Sequence, residues 1–198
     1  MFVTFEGLDG SGKSTQADLL REALAAEGRD AVATSESGGT ELGERVRELL
    51  LHGGELTPWA EAALFAAARA ELVARVIRPA LKTGADVVCD RYIDSSLAYQ
   101  GIARGLGVDR VLDLNLQATR GLLPDRTFLI LLDPDQAARR AGREPDRIER
   151  AGGDFRSSVD AAYRELAAMF PKRVIAVDGA KSARELAVEI RGQLRDLS

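Results

Sequence analysis

The chain has 198 residues, 45% hydrophobic and 29% charged, with a net charge of −4, which suits one globular domain over 1–198 with a single sizeable core. The negative balance gives no case for a nucleic-acid partner, no apolar run approaches the ~20 residues of a membrane helix, and the N-terminus has no charged leader or signal-like stretch, so a cytoplasmic protein is expected. One cysteine, Cys89, and one histidine, His52, exclude an internal disulfide and a Cys/His metal cluster.

Residues 2–6 alternate and are β-rich, predicting a strand. A glycine-rich turn follows at once. The spacing of Ala17, Leu20 and Leu24 predicts a helix over 14–27, stopped by Gly28. A second strand is expected at 30–34 and a polar loop at 35–40. Helices follow over 41–51 and 59–82, the second capped by Thr57 with Pro58 in its first turn. Residues 86–90 read as a third strand, and 94–105 and 108–120 as helices. The most apolar strand, 127–132, belongs at the centre of the sheet. An arginine-rich, glycine-containing stretch at 139–153 is loop or broken helix. A helix at 154–170, a strand at 173–177 and a helix at 183–197 close the chain. This alternation implies an α/β fold: a five-stranded parallel sheet with helices on both faces.

Gly7-Leu8-Asp9-Gly10-Ser11-Gly12-Lys13-Ser14 fits G-x-x-x-x-G-K-[ST] between a strand and a helix, the context that makes it a phosphate loop. Its glycines let the backbone curl so that several N–H groups face one anion, and the positive end of the helix adds to them. Lys13 can reach the outer phosphates of a nucleotide such as ATP, and Ser14 can ligate Mg²⁺. Most basic residues here are arginines, so a lysine inside a motif is the more informative. A carboxylate at Asp9 would be repelled by phosphates unless a cation or a substrate hydroxyl stood between them. Asp9 therefore faces Mg²⁺ or a second substrate, or is a solvated loop residue. Asp90 ends the third strand, where α/β sheets open their ligand crevice. It fits a magnesium-holding carboxylate, and Arg91 can make a forked contact to a phosphate. The plainer alternative is a capping aspartate beside a surface arginine.

With these residues in view the chain resembles the thymidylate kinase family from Phe5 to about Ile190. The likeness rests on Phe5-Glu6-Gly7 running through the phosphate loop to Thr15, on Gly38-Gly39-Thr40, on Leu64-Phe65-Ala66-Ala67-Ala68-Arg69, and on Asp90-Arg91-Tyr92 with Ser95, Ser96 and Ala98-Tyr99-Gln100-Gly101. Asp146-Arg147-Ile148-Glu149 resembles a fifth block that closes a lid at about 135–153. The resemblance implies a nucleoside-monophosphate-kinase-like P-loop fold that transfers a phosphoryl group from ATP–Mg²⁺ to dTMP, with a homodimer across the long helices, Glu61–Arg78 being the candidate face. It implies that Gly7 to Thr15 hold the ATP phosphates and that Lys13 bridges donor and acceptor. Phe65 would stack on thymine, where its spacing alone reads as helix core. Arg69, one turn on, would donate to a base oxygen. Arg91 would hold the dTMP phosphate, Ser95 and Ser96 would line the base edge, Tyr99 would pack under the sugar, and Gln100 would add a polar contact. Asp9 would meet the 3′-hydroxyl or, with Ser14 and Asp90, the Mg²⁺ shell.

Some members of the family carry an arginine where this loop has Gly10. The resemblance is thus to the bacterial type, whose catalytic arginine comes from the lid; Arg143 is the first candidate and Arg140 the second, against a merely solvated basic loop. The loop Thr34-Ser35-Glu36-Ser37-Gly38-Gly39-Thr40 departs from the family's usual pattern by lacking an arginine and a proline. That removes a cation near the substrate and an inexpensive cis peptide, so a more mobile loop is expected. Rival readings are a kinase of another nucleoside or nucleotide, a GTP-binding switch, for which the guanine-reading Asn-Lys-x-Asp is missing, and an inactive P-loop regulator.

Overall fold

The structure, a computed structural model, describes residues 1–142, 146–148, 150 and 152–195. Five strands, β1 (Phe2–Glu6), β2 (Ala31–Ser35), β3 (Asp86–Asp90), β4 (Arg126–Leu131) and β5 (Val174–Asp178), form one all-parallel sheet in the order β2-β3-β1-β4-β5. Alternation along the strands sorts the core into two layers. Val3, Phe5, Val88, Phe128 and Ile130 face Ala17, Leu20 and Leu24 of α1 (Lys13–Ala26) and Leu186 and Ile190 of α9 (Ala183–Gly192). Phe2, Val87, Cys89 and Leu129 pack on the opposite side, among Val111 of α6 (Val108–Thr119) and Tyr163 and Leu166 of α8 (Gly153–Met169). Both faces are covered, which is why β4 reads as nearly continuous apolar sequence.

The helices α2 (Glu41–His52) and α3 (Pro58–Leu72) pair through Val46, Leu50 and Ala68. Thr57 caps α3 by accepting from Ala60 N, as its sequence predicts. The expected uninterrupted helix over 59–82 is broken, however. After α3 a π-helical turn, Val73–Ile77, leads into α4 (Arg78–Lys82), and Arg78 N–H donates five residues back to Val73 O. Pro79 has no N–H with which to continue an ordinary ladder. The expected helix over 94–105 differs in the same way: α5 (Ile93–Ser96) passes straight into the π-helical turn Leu97–Ala103. A 3.6-residue apolar period does not announce such widened turns, which cluster at functional sites.

In the 135–153 stretch, α7 (Pro134–Ala141) is an ordinary helix, capped by Asp133 accepting from Gln136 N at 3.0 Å. The candidate Arg143, and Glu149 of the fifth block, lie outside the described residues. Among the described residues no helix is long and apolar enough to cross a membrane.

This strand order makes the site. The chain leaves β1 toward one edge and leaves β3 toward the other, so a crevice opens beyond the carboxyl ends of these neighbours. The phosphate loop continues β1, and Asp90-Arg91 ends β3.

Candidate active site

The loop after β1 is shaped by close approaches that exclude side chains. A Cβ on Gly7 would stand 2.5 Å from Ile130 O, and one on Gly10 would stand 2.1 Å from Ala137 O. Both have positive φ, 136° and 82°. Gly10 thus lies directly under the backbone of α7, and an arginine at that place has no room. Lys13 opens α1, is nearly fully buried, and donates from Nζ to Leu8 O at 2.9 Å and Asp9 Oδ1 at 3.4 Å. Burial, then Arg91, lowers its pKa; Asp9 and Asp90 oppose the shift. The Leu8 side chain belongs to the core, so only its backbone serves the loop. Ser14 and Thr15 are exposed on the cleft wall.

Asp9 joins the two halves of the site. Its Oδ1 accepts from Lys13 and, at 2.5 Å, from Arg91 Nη2. Among the described residues, Lys13 and Arg91 are cations that meet this carboxylate. Arg91 has the left-handed φ of 71° and turns back over the Tyr99 ring, 5.7 Å from its centroid. Its Nη1 donates to Ser95 Oγ and to Tyr163 OH, each at 3.1 Å. Both hydroxyls in turn donate to Glu6 Oε2, at 2.6 and 3.0 Å. The other oxygen, Oε1, takes the backbone N–H groups of Tyr92 and Ser95. Burial opposes the charge on Arg91, but Asp9, then Tyr99, Tyr163 and Glu6, raise its pKa well above the ordinary value. Burial, then Asp94, pushes the Glu6 carboxyl up to about 7, against the pull of Arg91.

One cleft of about 950 Å³ contains the phosphate loop and runs on to Phe65, Arg69, Ser95, Ser96, Tyr99 and Gln100. Phe65 is half-buried against Val46 and Leu50, as its spacing predicts, and it also lines the cleft. Arg69 is fully buried and already heavily bonded. Its Nε donates to both oxygens of Glu36 at 2.7 and 2.9 Å, Nη2 donates to Glu36 at 2.5 Å and to Tyr92 O at 3.1 Å, and Nη1 donates to Ser96 Oγ and Asn115 Oδ1. Burial raises the Glu36 pKa while Arg69 pulls it back, and Glu36 outweighs the effect of burial on Arg69; the forked geometry is that of a charged pair. Glu36 and Ser37 are buried and their peptide bond is cis. The start of this loop is thus anchored by Arg69, in contrast to the looser loop expected from the absence of an arginine and a proline.

Arg140, near the end of α7, lines the same cleft and donates to Gly179 O at 3.0 Å. Arg147 docks against α2 and α3, donating from Nε to Leu50 O and from Nη2 to Glu61, both at 2.7 Å. The oxygen donors beside the phosphate loop fit magnesium. Ser14 Oγ lies 2.5 Å from Asp90 Oδ2, and Asp90 Oδ1 is buried without a partner among the described residues. A hydroxyl and one carboxylate are hard oxygen donors that suit Mg²⁺, which needs only one or two carboxylates beside water and phosphate.

Sequence reasoning missed Glu6 as a bonding hub, along with Tyr163, Glu36 and Asn115. Glu6 stands at the end of β1, directly before the phosphate loop. The others carry no local signal, because Tyr163 and Asn115 look like core positions of amphipathic helices and Glu36 like a loop carboxylate.

A family model described as thymidylate kinase matches residues 5–190. A thymidylate kinase of Bifidobacterium longum (strain DJO10A) is 46% identical, covering all of this chain and 98% of that protein. One from Leifsonia xyli subsp. xyli is 49% identical, covering 98% and 94%. The crystal structure of thymidylate kinase from Ehrlichia chaffeensis superposes with a TM-score of 0.81 at 33% identity, covering 98% of each chain.

Proposed function

We propose, because the chain belongs to the thymidylate kinase family, a division of its cleft in which the loop from Gly7 to Thr15 receives ATP and the pocket from Phe65 to Gln100 receives dTMP. The chain phosphorylates dTMP to dTDP with ATP as donor. A phosphate oxygen of dTMP attacks the γ-phosphorus, the bond from that phosphorus to the β-bridging oxygen breaks, and ADP leaves. No general base is required, since a phosphate monoester with its second pKa near ~6 is largely ionised at neutral pH. Catalysis is positioning and charge neutralisation.

Lys13 and Arg91 supply the charge: Lys13 for the transferring group, Arg91 for the acceptor phosphate. The observation that carries this reading is Asp9, bonded to both cations, one on the donor side and one on the acceptor side. We assign Asp9 to the acceptor side, near the 3′-hydroxyl. Ser14 and Asp90 would hold Mg²⁺, which when bound neutralises the β- and γ-phosphate oxygens. Phe65 stacks on thymine, Tyr99 packs under the sugar, and Ser95, Ser96 and Gln100 form the polar edge. Arg69 acts on the base through Ser96 and the anchored Glu36 loop, and Arg140 is the lid cation that the described residues best support. The whole of 1–198 works as one unit, a cytoplasmic enzyme with its lid at about 135–153.

The homodimer we propose uses the outward side of α3, where Ala63 and Ala67 are exposed one turn apart, because Ala62, Ala66, Leu72, Val73 and Ile77 of the expected face are buried within the chain. Sedimentation at twice 21.3 kDa supports it, and a single 21.3 kDa species refutes it. The function itself is tested by an ADP-release assay with a panel of nucleoside monophosphates. dTMP must give the highest kcat/KM; a preference for a purine monophosphate would overturn the assignment of the pocket.

A further inference from the structure

Glu61 of α3 is almost wholly buried, yet it does not line the cleft. Its two oxygens have different partners. Oε2 accepts from Arg147 Nη2 at 2.7 Å and Arg104 Nη2 at 3.4 Å. Oε1 accepts from Gln100 Nε2 at 2.9 Å. Gln100, in the π-helical turn after α5, does line the cleft, beside Ser96, Tyr99 and Phe65. A carboxylate held by two guanidinium groups only accepts, so the amide nitrogen of Gln100 must turn toward it. The Gln100 side-chain oxygen is then the group left for a ligand, and no other hydrogen bond engages this side chain among the described residues.

We propose that Glu61 is a positioning residue for acceptor choice: by holding the Gln100 nitrogen it presents the Gln100 carbonyl to the base, selecting a pyrimidine with N–H at ring position 3 over one with a lone pair there. This rests on the placement of the acceptor base above. Thymine and uracil share that N–H, whereas cytosine offers a lone pair that would face the carbonyl lone pairs. A buried polar contact left unmade or opposed weakens binding by roughly fivefold to a hundredfold, which sets the scale of the discrimination.

The E61Q substitution tests the orientation directly. Arg104 and Arg147 require an acceptor, so they keep the oxygen of the new amide, and its nitrogen is turned to Gln100. Gln100 must then flip and present its own nitrogen to the cleft, a donor that suits cytosine. Binding of dTMP, dUMP and dCMP is measured by calorimetry on wild type and E61Q, with ATP affinity and Tm alongside. In E61Q the dTMP-to-dCMP affinity ratio is expected to fall by roughly fivefold or more, while the dTMP-to-dUMP ratio and ATP affinity hold. A dTMP-to-dCMP ratio within about twofold of wild type overturns the proposal, as does an equal change in the dTMP-to-dUMP ratio, which marks a loosened pocket. Q100M provides the second measurement: it should compress the dTMP-to-dCMP ratio and spare the dTMP-to-dUMP ratio, and an unchanged dTMP-to-dCMP ratio counts against the proposal. Failure of wild type to bind dTMP would count against the functional reading, whereas an unchanged ratio in both variants counts against Glu61 and Gln100 alone.

Discussion

Lys13 and Arg91 both donate to the same carboxylate oxygen of Asp9, so removing either changes the charge at the place where donor and acceptor phosphates are proposed to meet. Lys13→Ala should lower kcat by about 10²–10³ or more, the usual effect of deleting one donor to a transition-state oxyanion. The fold should survive, because the lysine's bonds go to the loop itself. Near-wild-type turnover would remove Lys13 from the mechanism. Glu6 offers a second test at this scale. It sits among Arg91, Ser95, Tyr163, Tyr92 and Asp94, and Arg173 pairs with Asp94 behind it. Its folded pKa of about 7 exceeds the ordinary 4.5, so the native state holds a proton that the unfolded chain has lost. Stability from this group is therefore complete below about pH 4.5 and declines as pH rises toward about 7. Thermal melts from pH 5 to 8 should show a flatter profile for Glu6→Gln than for wild type, with about 2–4 °C for each kcal/mol in a chain of this size. Parallel profiles would contradict the shift. Among single residues, those legible in the sequence were those whose role is set by neighbours in the chain. The phosphate loop is dictated by its own backbone, so Lys13 and Ser14 stand out unaided. Tyr163 bonds to Glu6 across 157 positions, and no local pattern marks it.

The element that most shapes the site is α7, whose backbone lies on the phosphate loop at Gly10. This contact explains why the loop carries no arginine: α7 occupies that space, and under the proposed function the cation is assigned to Arg140 on α7 instead. Gly10→Ala introduces a Cβ against Ala137 O and Ala141 N and strains a φ of 82°. A destabilisation of about 1–3 kcal/mol is expected, with a loss of kcat as α7 is pushed away. A variant with native Tm and full activity would show that α7 does not rest there. Ordinary helices and strands were readable from their periods, as α1, α6 and α8 show. The π-helical turns Val73–Ile77 and Leu97–Ala103 were not, because a single widened turn leaves the apolar stripe nearly in place. The second of these turns carries Tyr99 and Gln100, so the missed feature is the one that delivers these two residues to the cleft.

For the molecule as a whole, alternating strands and helices made the parallel α/β sheet legible, but alternation is silent about strand order. The order β2-β3-β1-β4-β5 places the ends of β1 and β3 side by side and brings Asp9 to Arg91. On the proposed function the cleft divides by element, with the phosphates of ATP assigned to the head of α1 and the base of dTMP to the pocket between α3 and the turn after α5. Phe65→Ala should raise the KM for dTMP roughly fivefold or more, since stacking on a base is worth ~1–3 kcal/mol, and should leave the KM for ATP unchanged. Equal effects on both would mean that the two halves are not separate. The most direct test of the account is to follow the label from ATP radiolabelled in its γ-phosphate. The label should appear in dTDP with one ADP formed per dTDP, and ADP release should stop when dTMP is withheld. Label released as free phosphate at the same rate without dTMP would contradict it.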